Sequence, residues 1–359
     1  MFAALIAGHA AGQAPPRAVP DTPGIAWHHA GAVTPFSTAP ACRKNLVFCG
    51  GEQLLALDIR SGKVTAQAKV DGPWQAPVLG GGLVFARHQD GSVHAFAPAL
   101  DRRLWHVALA PTPYPGICCG DIFVVAAGQE IVAITGGAEL WRQDLGGPVL
   151  MTPATDGHRI YAGTMTGKLV ALAVGDGKPV WEREVDAPVG ASSPVVDGDT
   201  VFVADRGDEG RRGMLHAVAA DSGQPRWQTG FGATGFSTPF PSEDGVWAGF
   251  GTSVVRFDRQ TGAMAPGRIR TGRNPFGRPG VLGDAVVFGN LDGSFYVHDR
   301  QTLALRWRFT PGDGVQVGGW ELQNGVLLVG SANGLWALVD TPEAPPAPPG
   351  FVLQPGENR

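Results

Sequence analysis

The groups in this 359-residue chain that could do chemistry are few and badly spaced for it. Cys42, Cys49, Cys118 and Cys119 lack the Cys-x-x-Cys spacing of a zinc site and are too few for a disulfide framework. His28 and His29 are adjacent; on a strand they point to opposite faces and cannot share a ligand. Asp205, Asp208 and Glu209 form the one acidic cluster, but Arg206, Arg211 and Arg212 share its segment. Calcium needs six to eight oxygens, so internal ion pairing is the simpler expectation. Gly163-Thr-Met-Thr-Gly-Lys-Leu169 is one residue short of a phosphate loop and lacks its closing Ser or Thr. No serine sits in a Gly-x-Ser-x-Gly elbow.

The elements that would position these residues are read from composition and repeats. With 53 Gly, 30 Pro and 43% hydrophobic residues, the chain is too turn-rich for a helical protein and too apolar for a disordered one. A net charge of −4 argues against a general nucleic-acid binder. No apolar run reaches the roughly 18 residues of a membrane helix, so no integral membrane segment is expected. Phe2–Ala7 is a short apolar core followed by small residues. Residues 1–23 are therefore read as a signal-like or disordered leader of an exported, periplasmic or extracellular protein. No cysteine follows that core, so no lipid anchor is expected. Residues 341–359 form a proline-rich tail, expected to be extended and mobile.

Between these ends the sequence repeats. Lys168–Trp181, Met214–Trp227 and Ser294–Trp307 each read as an alternating strand, a turn and a second strand entered through Trp. Trp105, Trp141, Trp181 and Trp227 recur at 36, 40 and 46 residues. Trp227 to Trp307 and Trp27 to Trp105 are double periods, with Pro266 and Ala66 in the skipped slots. A second hairpin precedes each of these, as in Ala76–Ala86, Ser193–Val203 and Pro279–Gly289. Four short strands in about 40 residues make a propeller blade. The fold class expected is all-β, an eight-bladed β-propeller of four-stranded antiparallel blades over residues 24–340. Its units are 33–71, 72–110, 111–147, 148–187, 188–232, 233–271, 272–313 and 314–340. The last unit has only three strands, and Gly24–Gly31 carries Trp27 in the outermost-strand position. The N-terminal strand is therefore expected to complete the last blade and close the ring.

The segment pattern small-x-Asp-x-x-Thr/Ser-Gly-Lys-x-x-x-Trp resembles the repeat of the pyrroloquinoline-quinone (PQQ)-type propellers. Residues 170–181 and 217–227 carry it best, and Asp58–Lys63 and Asp258–Gly262 match its first half. That family holds both quinoprotein dehydrogenases, which bind PQQ and calcium, and the non-enzymatic eight-bladed lipoprotein scaffold of the outer-membrane assembly machinery. The resemblance implies that Trp27, Trp105, Trp141, Trp181, Trp227 and Trp307 pack between blades. It makes Cys118–Cys119 a candidate for the cysteine pair that lies against the cofactor in the dehydrogenases. The repeat register instead puts Cys118 at the end of an innermost strand and Cys119 in the tight turn after it, on the face away from the cofactor. Cys42 and Cys49 align with core positions of other blades, offset by two across their hairpin.

Binding is expected on the loops that lead into the innermost strands and ring the channel mouth. These loops supply Phe36, Trp74, Tyr114, Met151, Phe236, Phe276 and Gln316, and Arg273 and Arg278 flank Phe276. Together with Arg206, Arg211 and Arg212 these arginines could form a cationic lip suited to an anionic ligand or acidic peptide. The leading expectation is a monomeric, non-enzymatic scaffold that binds a protein or peptide partner through this mouth, with no cofactor. The alternative is a PQQ-dependent oxidoreductase or PQQ-binding sensor, with calcium, whose arginine lip holds the cofactor's carboxylates.

Overall fold

The computed structural model describes residues 19–341, apart from 31–38, 71, 113, 186, 190–191, 208–212, 234–236 and 313–316, together with residues 352–355. These residues form eight antiparallel sheets and no helix, an eight-bladed β-propeller. In blade 5, for example, Val195–Asp197, Thr200–Ala204, Met214–Ala219 and Pro225–Gly230 follow one another from the innermost to the outermost strand. Apart from the first strand and the tail strand, the strands of a sheet fall inside one sequence unit, because short connections between successive strands favour hairpins.

The core lies between blades rather than within them. Each of eight clusters of buried apolar side chains straddles one pair of neighbours, including the pair formed by the last and first blades (Leu328, Leu335 and Ala337 against Val47, Leu55 and Leu57). The middle strands are buried on both faces, and so read as unbroken apolar runs such as Thr200–Ala204.

The repeat tryptophans lock these interfaces. Trp141, Trp181 and Trp227 each sit opposite an alanine of the adjacent strand, at a bulge. Their indole N–H groups reach the next blade, donating to the carbonyls of Val174 (2.7 Å), Ala220 (2.9 Å) and Arg259 (3.0 Å). The ring lies flat on the glycine of the next blade's turn. Gly223 has φ +68°, and a Cβ there would fall 2.6 Å from Trp181, so both the turn and the ring require glycine. The turn aspartate caps the same loop: Asp258 accepts from Thr261 N (2.7 Å) and Oγ1 (2.8 Å), and Asp299 from Thr302 N (2.8 Å) and Oγ1 (2.9 Å). Ala66 pairs with Ala56 in the slot that Trp fills elsewhere. Around Pro266 the outermost strand of blade 6 shrinks to Ile269–Arg270, since proline cannot donate to a ladder.

The N-terminal strand, Pro23–His29, pairs antiparallel with Gly334–Asp340 and completes blade 8. The repeat's turn is thereby split between the two ends of the propeller. Asp340 accepts from Thr22 N (2.9 Å) and Oγ1 (3.0 Å), the Asp–Thr cap of the other blades made across the chain break. Trp307 donates to Pro20 O at 2.9 Å, and Trp27 to Ile59 O of blade 1 at 3.0 Å.

One strand departs from the sequence expectation. Within the proline-rich tail, Val352–Pro355 pairs antiparallel with Thr310–Trp307 and gives blade 7 a fifth strand. Proline content marks the segment as extended, and an extended segment beside an unpaired strand edge can complete a ladder.

Candidate binding face

Ion pairs between neighbouring turns recur on one end of the ring. On the end built from the first and third turns of each blade, acidic residues meet arginines from neighbouring turns. Asp244 binds Arg256 of its own blade (2.7 Å) and Arg300 of blade 7 (2.7 Å). Arg306 bridges Asp284 (2.8 Å) and Asp299 (2.6 Å), Arg226 pairs with Asp199 (2.6 Å), and Arg259 of blade 6 with Asp197 of blade 5. Partial burial pushes the Asp244 carboxyl up. Hydrogen bonds from Arg300, Ser242, Arg256 and Trp247 outweigh it and hold the group well below the carboxylate range.

The opposite end carries the second turn of each blade and the loops entering the innermost strands. Arg206, Arg273 and Arg278 are exposed there. The Arg278 guanidinium stacks over Phe240 at 5.1 Å. Its side chain reaches solvent yet is packed about by protein. This burial lowers its pKa, against the opposing charge of Glu321 on blade 8. The Arg273 carbonyl is held by Asn290 Nδ2 at 2.9 Å, which fixes the loop that carries Phe276. Tyr114, Met151 and Phe276 are half-buried, and Leu150 beside Met151 is 42% exposed. Leu150 was not among the expected site residues; its signal is the run Val149-Leu150-Met151, too long for one loop to bury. Phe36, Arg211, Arg212, Phe236 and Gln316 lie outside the described residues, as do Asp208 and Glu209.

One expectation is corrected. Trp74 is fully buried and presents nothing to a partner. Its backbone is stitched to Gly51 (2.6 and 2.9 Å) and bridges His88, drawing the loop inward. Its ring meets His88, His94 and Phe96 edge-on at 5.1, 4.9 and 5.7 Å. Asp205 turns inward from its loop. It is buried and accepts from His216 Nε2 (2.7 Å), Gly207 N (2.8 Å) and Met214 N (2.9 Å). That carboxylate fixes the loop from inside. Arg87 does the same without a carboxylate. Buried beside the mouth, it donates to Ala126 O (2.8 Å) and Thr112 Oγ1 (3.0 Å), tying blade 2 to blade 3, and burial lowers its pKa to about 10. Sequence offered no sign of either role.

PQQ with calcium, the group implied by the dehydrogenase branch, does not fit the described residues. Cys118 packs against Gly80 of blade 2, while Cys119 Sγ donates to Gly157 O of blade 4 at 3.3 Å. The two thiols therefore point to opposite faces of one sheet, beside the Gly120–Asp121 turn. All four cysteines are free thiols, and burial raises Cys42, Cys49 and Cys118 to about 12. No three His, Cys, Asp or Glu among the described residues are grouped to hold a metal ion. Asp205, the buried mouth carboxylate among the described residues, already has three donors. His28, stacked on Trp336 at 3.6 Å, is part of the packing of blade 8.

Comparison with known proteins agrees with this geometry. Residues 20–133 and 89–308 match the profile of the family described as outer membrane protein assembly factor BamB. The BamB of Burkholderia pseudomallei is 28% identical over 261 residues, 68% of this chain and 58% of the relative. The chain spans about half the length of the curated relatives it matches. The crystal structure of BamB from Moraxella catarrhalis superposes with a TM-score of 0.71 at 18% identity, over 86% of this chain and 97% of that one. The quinohemoprotein alcohol dehydrogenase of Comamonas testosteroni reaches 0.72 at 12%, over 91% and 78%. At these identities the structures establish a shared fold; the sequence profile distinguishes further. This chain, a closed propeller with repeat tryptophans between its blades, belongs to the BamB family of outer membrane protein assembly factors.

Proposed function

We propose that this protein is a non-enzymatic scaffold of the cell envelope. It holds a protein partner against its channel mouth in the service of outer-membrane protein assembly. The family match supplies the process. The mouth loops carry the choice of face, since they bear Arg206, Arg273 and Arg278 together with Tyr114, Leu150, Met151 and Phe276. Arginine and aromatic or thioether side chains on a rigid rim are the composition of a protein interface. An acidic partner surface fits it. The apolar leader supports export to the periplasm.

Charge reversal at the mouth, Arg273→Glu with Arg278→Glu, is expected to abolish co-purification of the partner and lower outer-membrane protein levels. Reversal on the turn end, Arg226→Glu, is expected to leave both unchanged. Equal loss from both variants would contradict the assignment of the face. The scaffold reading also predicts that PQQ, with or without calcium, produces no saturable rise in melting temperature.

A further inference from the structure

The fifth strand of blade 7 is an addition that the propeller does not need. The ring is already closed by Pro23–His29 on Gly334–Asp340. Val352–Pro355 comes after that closure, lies back on the preceding blade, and makes four residue pairs with Thr310–Trp307. In the seven other sheets the outermost strand has no further strand beside it among the described residues. Edge protection in general therefore does not explain why this edge alone is covered. The host strand, Leu305–Thr310, buries Trp307 and Phe309 and runs regularly beyond a single bulge on its inner side, so its outer edge presents an unbroken row of main-chain groups.

The covering strand is short and ends at Pro355, which has no N–H to extend the ladder. A four-residue strand of this kind is weak on its own. Because the strand belongs to the same chain, its pairing is intramolecular, at an effective concentration of order millimolar. Main-chain pairing of this type is tolerant of the incoming sequence. An edge that takes one tethered segment takes others, once the tethered one is displaced.

We propose that the outer edge of Leu305–Thr310 is a strand-acceptor site for an extended peptide segment of another protein, and that Val352–Pro355 occupies it in cis until such a segment replaces it. The site lies on the outer wall, apart from the channel mouth, and does not depend on the mouth's partner.

The test uses two fluorescent peptides: one with the sequence of residues 350–358, and an unrelated strand-forming peptide of alternating Val and Thr. Binding is followed by anisotropy to three proteins: the full chain, the chain ending at residue 341, and a full chain carrying Leu353→Pro with Gln354→Pro. The two prolines remove one ladder donor in either register, since one of two successive residues faces the host strand. Both peptides are expected to bind the shortened and the doubly substituted proteins saturably, and the full chain at least about tenfold more weakly, given the tether's advantage. If the shortened protein loses its fold, the doubly substituted chain gives the reading alone. No binding to either altered protein, or equal binding to all three, would overturn the proposal. Binding of the 350–358 peptide alone would also overturn it, since the edge would then be a private latch.

Discussion

At the scale of the residue, the structure turns on tryptophans whose role is mechanical. Trp181 is 9% exposed and spends its one donor on the next blade. Trp181→Ala removes a large buried side chain and should cost about 3–5 kcal/mol in denaturant unfolding. Trp181→Phe keeps most of the packing and removes one of the two donors to the Ala220 carbonyl, which retains Tyr161 Oη at 3.1 Å, for a smaller loss of about 1 kcal/mol. A ligand role for this residue would instead leave stability untouched. His94 gives a pH signature. Burial lowers its pKa to about 4, helped by Arg103, His106 and His88. Its folded value lies below its unfolded value near 6.5, so between these the unfolded chain binds the extra proton. The contribution of neutral His94 is full above pH 6.5 and is lost progressively as pH falls toward 4. His94→Phe, which keeps the contact with Trp74, should flatten the stability slope in that window. An unchanged slope would place the titration elsewhere. Residue roles were the least legible layer of the sequence. The repeat tryptophans showed themselves by periodicity. Trp74, Asp205–His216 and Arg87 did not, because each is defined by a long-range contact with no local pattern.

At the scale of the element, legibility was high because each blade repeats the same local solution. A hairpin, an Asp-capped turn and a glycine that admits the neighbour's tryptophan are all short-range and recur about every 40 residues. The terminal strand could be placed for the same reason: Trp27 stands five residues after Thr22, as Trp307 stands after Thr302. The tail strand could not, since Val352–Pro355 carries no repeat signature and is specified only by the edge it meets. The two added strands should therefore behave differently on removal. Beginning the chain after His29 takes Trp27 and the Thr22–Asp340 cap from the closing blade. Such a deletion should lower the melting temperature by on the order of 10 °C, several kcal/mol in a chain of this size. Ending it at residue 341 leaves the closure intact, and melting should shift by only a few degrees. Comparable losses from both deletions, followed by circular dichroism, would contradict the division between closure strand and added strand.

At the scale of the molecule, ion pairs between turns link neighbouring blades on one end of the ring, and the loops of the other end carry arginines and half-buried apolar side chains. The sequence disclosed the ring and the loops facing its mouth. It disclosed the binding surface only in part, because exposure is decided by which loops are stitched down: Trp74 was drawn in, while Leu150 was left out. The central claim, that the mouth holds the partner, is tested most directly by site-specific photo-crosslinking in cells. A crosslinker is placed singly at Tyr114, Met151 and Phe276 on the mouth, and at Asp121 and Asp176, both exposed on the turn end. The account predicts one discrete adduct from the three mouth positions and none from the turn end. Adducts arising only from Asp121 and Asp176 would contradict it.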